Sequence, residues 1–409
     1  METPIPVVSY LEHPSFQFER FTSAEADAIC ADHIQKLDRI LATLWPKVQS
    51  RQASFEDELQ ALKAESDKFT QFLSSERLTL GSTVRATAVE SVLSAIERIE
   101  QEVAYYAQPF NAHRYQNKAV ELAQQIDKEG IIFAPIPLNE MQNLRKSLAA
   151  PMKHMREIAL KQPFTRRSYP LALENDYWKI IKQHITRNHL VDAASIYQGF
   201  PLEPIYCAIS YEDPKQTWYK QCYESETSHT AYMHYDHDFE ILKIIIYVSE
   251  VEPFNGPFSY IQNSHYSVHN SFLSYYYRYF DIVSEKQFNP PKTDYYRPRF
   301  KANTFRENFI QLPLLLQGSS HFGDDIINKS TQSTQLLSLE KQVLTKDNNC
   351  FMFTGSRLIH RGGLVQEGER FALQVGLSPR PAFFNRIRRD TRRTAGKTIR
   401  KILGKNRKF

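Results

Sequence analysis

The apolar residues of this 409-residue chain change their period along its length, and that change limits the folds open to it. Over the first hundred or so residues they recur at helical spacing. Cys30, Ile34, Leu37, Leu41 and Leu44 follow alternating steps of four and three, which places them on one seam of a helix. Thr22 and Glu25 have the spacing of a capping box ahead of that seam. A second segment from near Ser54 repeats the pattern at Phe55, Leu59, Leu62, Phe69 and Leu73, and a third after Ser82 at Val92, Ile96, Ile99 and Val103. Helices with such narrow apolar seams do not stay soluble singly. Residues 1–110 are therefore expected to form a helical bundle or coiled-coil segment. It closes on itself, packs on the rest of the chain, or pairs with a second copy in a homo-oligomer.

Beyond Asn111 the texture is different. A helix is expected to run through Gly130 into a strand at Ile131 to Phe133, and another helix to cover Leu138 to Leu160. From Ile205 onward, short runs rich in Val, Ile, Tyr and Phe alternate with turn residues. Ile241 to Val248 is strongly β-branched, Asn255-Gly256-Pro257 marks a tight turn, and Phe258 to Ile261 resumes as a strand. Cys350 to Phe353 and Phe371 to Leu377 flank a loop containing Arg361-Gly362-Gly363. The expected class is α+β, with a sandwich or barrel-like β core over 111–385 and helices packed outside it. With only 13 glycines, a Gly-rich phosphate-binding fold is disfavoured.

The chemistry gathers in Ala231 to Glu240. In an extended strand end, Tyr232, His234 and Asp236 share a face, because side chains alternate. An imidazole and a carboxylate so placed can reach one metal ion, and two histidines with one carboxylate leave positions open for a chelating co-substrate and oxygen. By itself the pair also suits an ordinary polar strand end, and Asp238 is a reserve carboxylate. Downstream, Leu358-Ile359-His360-Arg361-Gly362-Gly363 lies between two apolar strands and supplies a third ligand, His360. Ten residues later Arg370 opens the last strand. A guanidinium binds carboxylates in pairs of hydrogen bonds and keeps its charge, which suits the far end of a dicarboxylate such as 2-oxoglutarate.

These residues resemble the phytanoyl-CoA dioxygenase-like branch of the iron(II)/2-oxoglutarate-dependent oxygenases. The likeness is carried by His234-Tyr235-Asp236, the strand Leu242 to Val248, Asn255-Gly256-Pro257, Ser264-His265, His360 and Arg370, in that order across Gly130 to Pro379. It departs at Gln262-Asn263, where the family often has Pro-Gly before Ser-His. The resemblance implies a double-stranded β-helix (jelly-roll) core with flanking helices. It further implies iron(II) on His234, Asp236 and His360, and 2-oxoglutarate held at its remote carboxylate by Arg370. Tyr232, on the metal-facing side, and Tyr247 or Lys243, from the next strand, are further candidates for the co-substrate pocket. The implied reaction couples decarboxylation of 2-oxoglutarate to hydroxylation of an aliphatic carbon.

The long stretch His265 to Asn349 is expected to cover the site. Its clusters Tyr275 to Phe280 and Tyr295 to Phe300 interleave aromatics with arginine. They fit either a second core or a surface for a polar or anionic small molecule or a glycan. From Arg386 to Phe409 eleven Lys and Arg stand against one acid, Asp390. This tail, 386–409, carries +10 in a chain of net +5, so the body is mildly acidic. An acidic lipid surface is the expected partner, with nucleic acid as the rival. No basic-then-apolar leader precedes His13 and no CxxC pair occurs, so a cytoplasmic protein with reduced cysteines is expected. A jelly-roll protein without turnover and a nucleic-acid-binding protein using the tail are the alternatives to an oxygenase.

Overall fold

A computed structural model describes residues 23–51, 54–106, 110–161, 167–215, 233–236, 239, 241–265, 271–288, 309–318, 320–322, 338–346 and 348–379. Three long helices open it: α1 (Ala24–Ser50), α2 (Glu56–Ser74) and α3 (Ser82–Tyr106). The seam residues Cys30, Ile34, Leu37, Leu41 and Leu44 are all buried, as are Val92, Ile96, Ile99 and Val103. The cap of α1 lies one residue from the expected box. Ser23 is extended and its hydroxyl accepts from Ala26 N at 3.1 Å, while Thr22 lies outside the described residues.

Five shorter helices follow: α4 (Asn117–Glu129), α5 (Leu138–Ser147), α6 (Ala149–Lys161), α7 (Asp176–Arg187) and α8 (Leu190–Gln198). The single helix expected over Leu138 to Leu160 is thus two, broken at Leu148. Pro151 falls in the first turn of α6, where its missing amide costs no intrahelical bond and its ring cannot clash with a preceding turn. The last helix described, α9 (Phe272–Phe288), packs on α3.

The strands are β1 (Ile131–Phe133), β2 (Arg167–Leu171), β3 (Leu202–Glu212), β4 (Met233–His234), β5 (Leu242–Tyr247), β6 (Ser259–Ile261), β7 (His321–Phe322), β8 (Glu340–Gln342), β9 (Cys350–Phe353), β10 (His360–Arg361) and β11 (Arg370–Pro379). They form two sheets, ordered β1-β9-β5-β11-β3-β2 and β7-β4-β10-β6-β8. Every pairing among the described residues is antiparallel.

The larger sheet is covered on both faces, and its alternation shows how. Cys207, Ile209, Ile244, Ile246, Met352, Leu373 and Val375 join one continuous core with α1 to α3 and α7. On the other face Ile131, Tyr247, Phe351, Phe353 and Ala372 meet Phe258 of the smaller sheet's side in a second, aromatic cluster. The metal-site candidates lie between the two sheets. Tyr275, Tyr276 and Phe280 of α9 are buried in the first core, so these aromatics fill the interior, while Tyr277 and Tyr279 are half-buried at its edge. Tyr295 to Phe300 and the tail 386–409 lie outside the described residues. No helix among the described residues is long and apolar enough to cross a membrane.

Candidate metal centre

Sheet pairing sets the first two side chains. β4 and β10 run antiparallel with His234 directly opposite His360, and the rings lie 4.4 Å apart between centroids. After β4 the chain leaves the sheet. Tyr235 N donates to Ser320 O at 3.0 Å and Asp236 N to Gly355 O at 2.8 Å, which turns the Asp236 carboxylate back toward both rings. Its Oδ1 lies 3.7 Å from His234 Nε2 and its Oδ2 3.7 Å from His360 Nε2. One ligand atom from each of the three residues falls within 4.8 Å of the others.

Several features fit this trio to a metal ion. Ligands bonded at about 2.1 Å to one ion sit roughly 3–3.5 Å from each other, a few tenths of an ångström closer than here. Asp236 Oδ2 is buried and accepts no hydrogen bond, an expensive state for a carboxylate oxygen unless something electropositive meets it. Gly355 leaves it room. A Cβ on that residue would stand 1.7 Å from Oδ2, so any other amino acid displaces the carboxylate. The His360 ring donates from Nδ1 to Leu358 O at 2.8 Å, which fixes the tautomer that keeps a lone pair on Nε2.

Lys243 closes the other side. Its Nζ lies 2.6 Å from Asp236 Oδ1. Burial opposes the charge on Asp236, but the Lys243 ammonium, aided by His360 and His234, outweighs it and holds the carboxyl far below its ordinary range. Phe258 stacks on His360 at 5.6 Å between centroids and Phe353 meets it edge-on at 4.7 Å, so apolar surface walls the imidazole.

The loop from His360 to Arg370 is pinned onto the Asn255-Gly256-Pro257 turn. Gly363 N donates to Pro257 O at 3.0 Å and Asn255 Nδ2 to Glu367 O at 2.7 Å. Gly256 and Gly363 meet backbone to backbone, and a Cβ on either would fall within 2.6 Å of the other's main chain or its neighbour's. Arg370 opens β11 opposite Glu212, the last residue of β3, and its Nη2 donates to Glu212 Oε2. Tyr247 is buried on the same side. Its hydroxyl accepts from Phe258 N at 2.7 Å, and burial pushes its pKa up to about 12.

Of the residues expected at the site, then, the structure brings together His234, Asp236, His360 and Lys243. Arg370 and Tyr247 share the space between the sheets, while Tyr232 lies outside the described residues, as does Asp238. His265 donates from Nε2 to Asp127 O of α4 at 3.0 Å, and Ser264 Oγ accepts from Ile359 N at 2.8 Å, which buttresses the segment before His360. Glu212 and Gly355 were not expected. Glu212 carries no local pattern, whereas a lone glycine just after an apolar strand is a weak signal of close approach.

No family model matches the chain, and no curated protein sequence does. Among solved structures it is similar to the epimerase SnoN in complex with Fe3+, alpha ketoglutarate and nogalamycin RO. That match has 12% identity over 64% of this chain and 83% of that one, with a TM-score of 0.35. It is also similar to HygX from Streptomyces hygroscopicus with nickel and 2-oxoglutarate bound, at 13% identity over 63% and 86% of the two chains and a TM-score of 0.34. A third is AviO1 from Streptomyces viridochromogenes Tue57, at 11% identity over 66% and 99% and a TM-score of 0.32. Likenesses this distant carry nothing about the site, whose reading rests on its own side chains.

Proposed function

We propose that the chain is an iron(II)- and 2-oxoglutarate-dependent oxygenase built on a jelly-roll core, with His234, Asp236 and His360 as its metal ligands. One observation carries the reading: two imidazoles and a carboxylate converge between the sheets, with the inner carboxylate oxygen buried and bonded to nothing. Two nitrogens and one oxygen on one side of an ion suit iron(II) and leave room for a bidentate keto acid. Bound there, the metal and keto acid would supply oxygen activation coupled to decarboxylation.

The chain's own residues then do four things. Lys243 holds Asp236 Oδ1, which leaves Oδ2 facing the His360 ring. Leu358 O fixes the His360 tautomer. Phe258 and Phe353 exclude water from the His360 side. Arg370, with the protonated phenol of Tyr247 nearby, binds the remote carboxylate of the keto acid by charge and paired hydrogen bonds. That carboxylate has to share the guanidinium with Glu212 or displace it.

The substrate we assign is a small polar or anionic molecule or a glycan, oxidised at an aliphatic carbon, on the strength of the arginine and aromatic residues from Tyr295 to Phe300. The basic tail 386–409 is assigned to acidic lipid. Flotation with liposomes, with and without residues after Asn385, tests that contact. For the reaction, purified protein supplied with iron(II), oxygen and 2-oxoglutarate forms succinate, and Asp236→Ala forms none. Wild-type protein that forms no succinate would overturn the reading.

A further inference from the structure

Behind the metal-site candidates lies a group of buried charged residues that the reaction does not use. α9 crosses the back of the site, and two of its side chains three positions apart, Arg278 and Asp281, face the same way. Both are buried, at 5% and 0% exposure. Arg278 donates from Nη2 to Ser356 O, and its guanidinium lies 5.9 Å over the Tyr235 ring. Asp281 Oδ2 accepts from Ser320 N at 2.7 Å and from Ser320 Oγ at 2.6 Å.

Each of these contacts ends one step from the ligand carboxylate. Ser320 O is the acceptor for Tyr235 N, and Gly355 O, beside Ser356, is the acceptor for Asp236 N. The dipeptide Tyr235-Asp236 is therefore gripped on two sides by loops, and each loop is tied to α9 by a different charge. α9 is tied in turn to α3. Tyr275 Oη donates to Glu102 Oε2 at 2.7 Å, and Glu102, fully buried, pairs with Arg98 Nε at 3.0 Å.

Taking charges this far from water is costly unless their partners offset it, and apolar residues of similar volume would hold a core as well. What apolar packing cannot do is point two carbonyls. We propose that Arg278 and Asp281 are positioning residues for Asp236: together they aim the Ser320 and Gly355-Ser356 carbonyls that orient the carboxylate toward His234 and His360. This inference rests on the metal reading above, because it assigns this brace its purpose.

Cobalt(II) titrated into the full-length, metal-free protein tests it, followed by the visible d–d absorption that reports coordination geometry. Outer partners of metal ligands typically contribute about 10- to 100-fold to affinity. Arg278→Met weakens cobalt binding by about tenfold or more and changes the d–d spectrum, and Arg278→Lys recovers part of both. Ser320→Ala, which removes a hydroxyl and no charge, weakens binding by several-fold and carries the same prediction if Arg278→Met does not fold. Tyr275→Phe breaks the bond to Glu102 without touching either loop. It lowers the melting temperature and leaves cobalt affinity within about twofold of wild type. Wild-type protein that binds cobalt, with Ser320→Ala and every folded Arg278 variant binding equally well and with an unchanged spectrum, overturns the brace alone. Wild-type protein that binds no cobalt overturns the metal reading and the brace with it.

Discussion

Arg370 and Glu212 stand directly opposite each other on β11 and β3, and the guanidinium donates to the carboxylate. The side chain proposed to seat a dicarboxylate is thus already paired with a carboxylate of the protein. Both partners are nearly buried, so the contact is stronger than a surface ion pair.

Glu212→Gln is therefore expected to tighten the co-substrate. It exchanges a charged acceptor for a neutral one of the same shape, a difference of about 1 kcal/mol for a hydrogen bond, or roughly fivefold. The KM for 2-oxoglutarate falls by that factor while kcat changes little. A KM that rises would show that Glu212 orients the guanidinium and does not compete for it.

Gly355→Ala is expected to weaken metal binding sharply while leaving the fold intact. The added methyl would meet Asp236 Oδ2 at 1.7 Å, and the carboxylate has to swing away. Iron(II) affinity falls by about 100-fold or more, the upper range for disturbing a ligand's surroundings. Circular dichroism and iron titration on the same sample check both halves. An affinity within twofold of wild type would show that Oδ2 is not the ligand atom.

The cysteines give a pH-dependent prediction. Burial pushes the thiols of Cys30, Cys207 and Cys350 up to about 12. The thiolate is the reactive form, and a raised pKa means less of it at any given pH. At pH 8 each of the three stays almost wholly protonated as well as shielded. A thiol reagent at that pH leaves them unmodified in the native protein and labels them once it is unfolded. Mass mapping of the labelled positions reads the result, and rapid labelling of Cys350 in folded protein would contradict the packing described.

The helical seams and the sheet share one continuous core, so damage to one is expected to be felt in both. Leu41 is fully buried on α1, and Leu41→Ala costs about 2–5 kcal/mol of stability. In urea unfolding, tryptophan fluorescence and far-ultraviolet dichroism then shift together. A loss confined to one signal would mean that the chain does not unfold as one unit.

What could be read from the chain beforehand follows the range of the interactions involved. The seams of α1 and α3, the β-branched run of β5 and the strands flanking His360 are local patterns, and each lies where its spacing put it. The spacing His234-x-Asp236 and the glycine-bounded His360 were legible for the same reason. Glu212 was not, because the register of β3 against β11 pairs it with a residue 158 positions away. Nor was the role of α9. Tyr275 to Phe280 is apolar on nearly every side, which reads equally as a cover or as a core, and only the packing of α9 on α3 decides for the core. Gly355 takes its meaning from a carboxylate more than a hundred positions earlier in the chain.

The most direct test of the account is optical. Under argon, iron(II) protein is mixed with 2-oxoglutarate and the visible spectrum is recorded for wild type and for His360→Ala. A keto acid chelated to iron(II) produces a broad charge-transfer band; wild type is expected to develop it, saturably in 2-oxoglutarate, and His360→Ala to lack it. A wild-type spectrum that stays flat, or a band of undiminished strength without the His360 imidazole, would contradict a centre built from His234, Asp236 and His360.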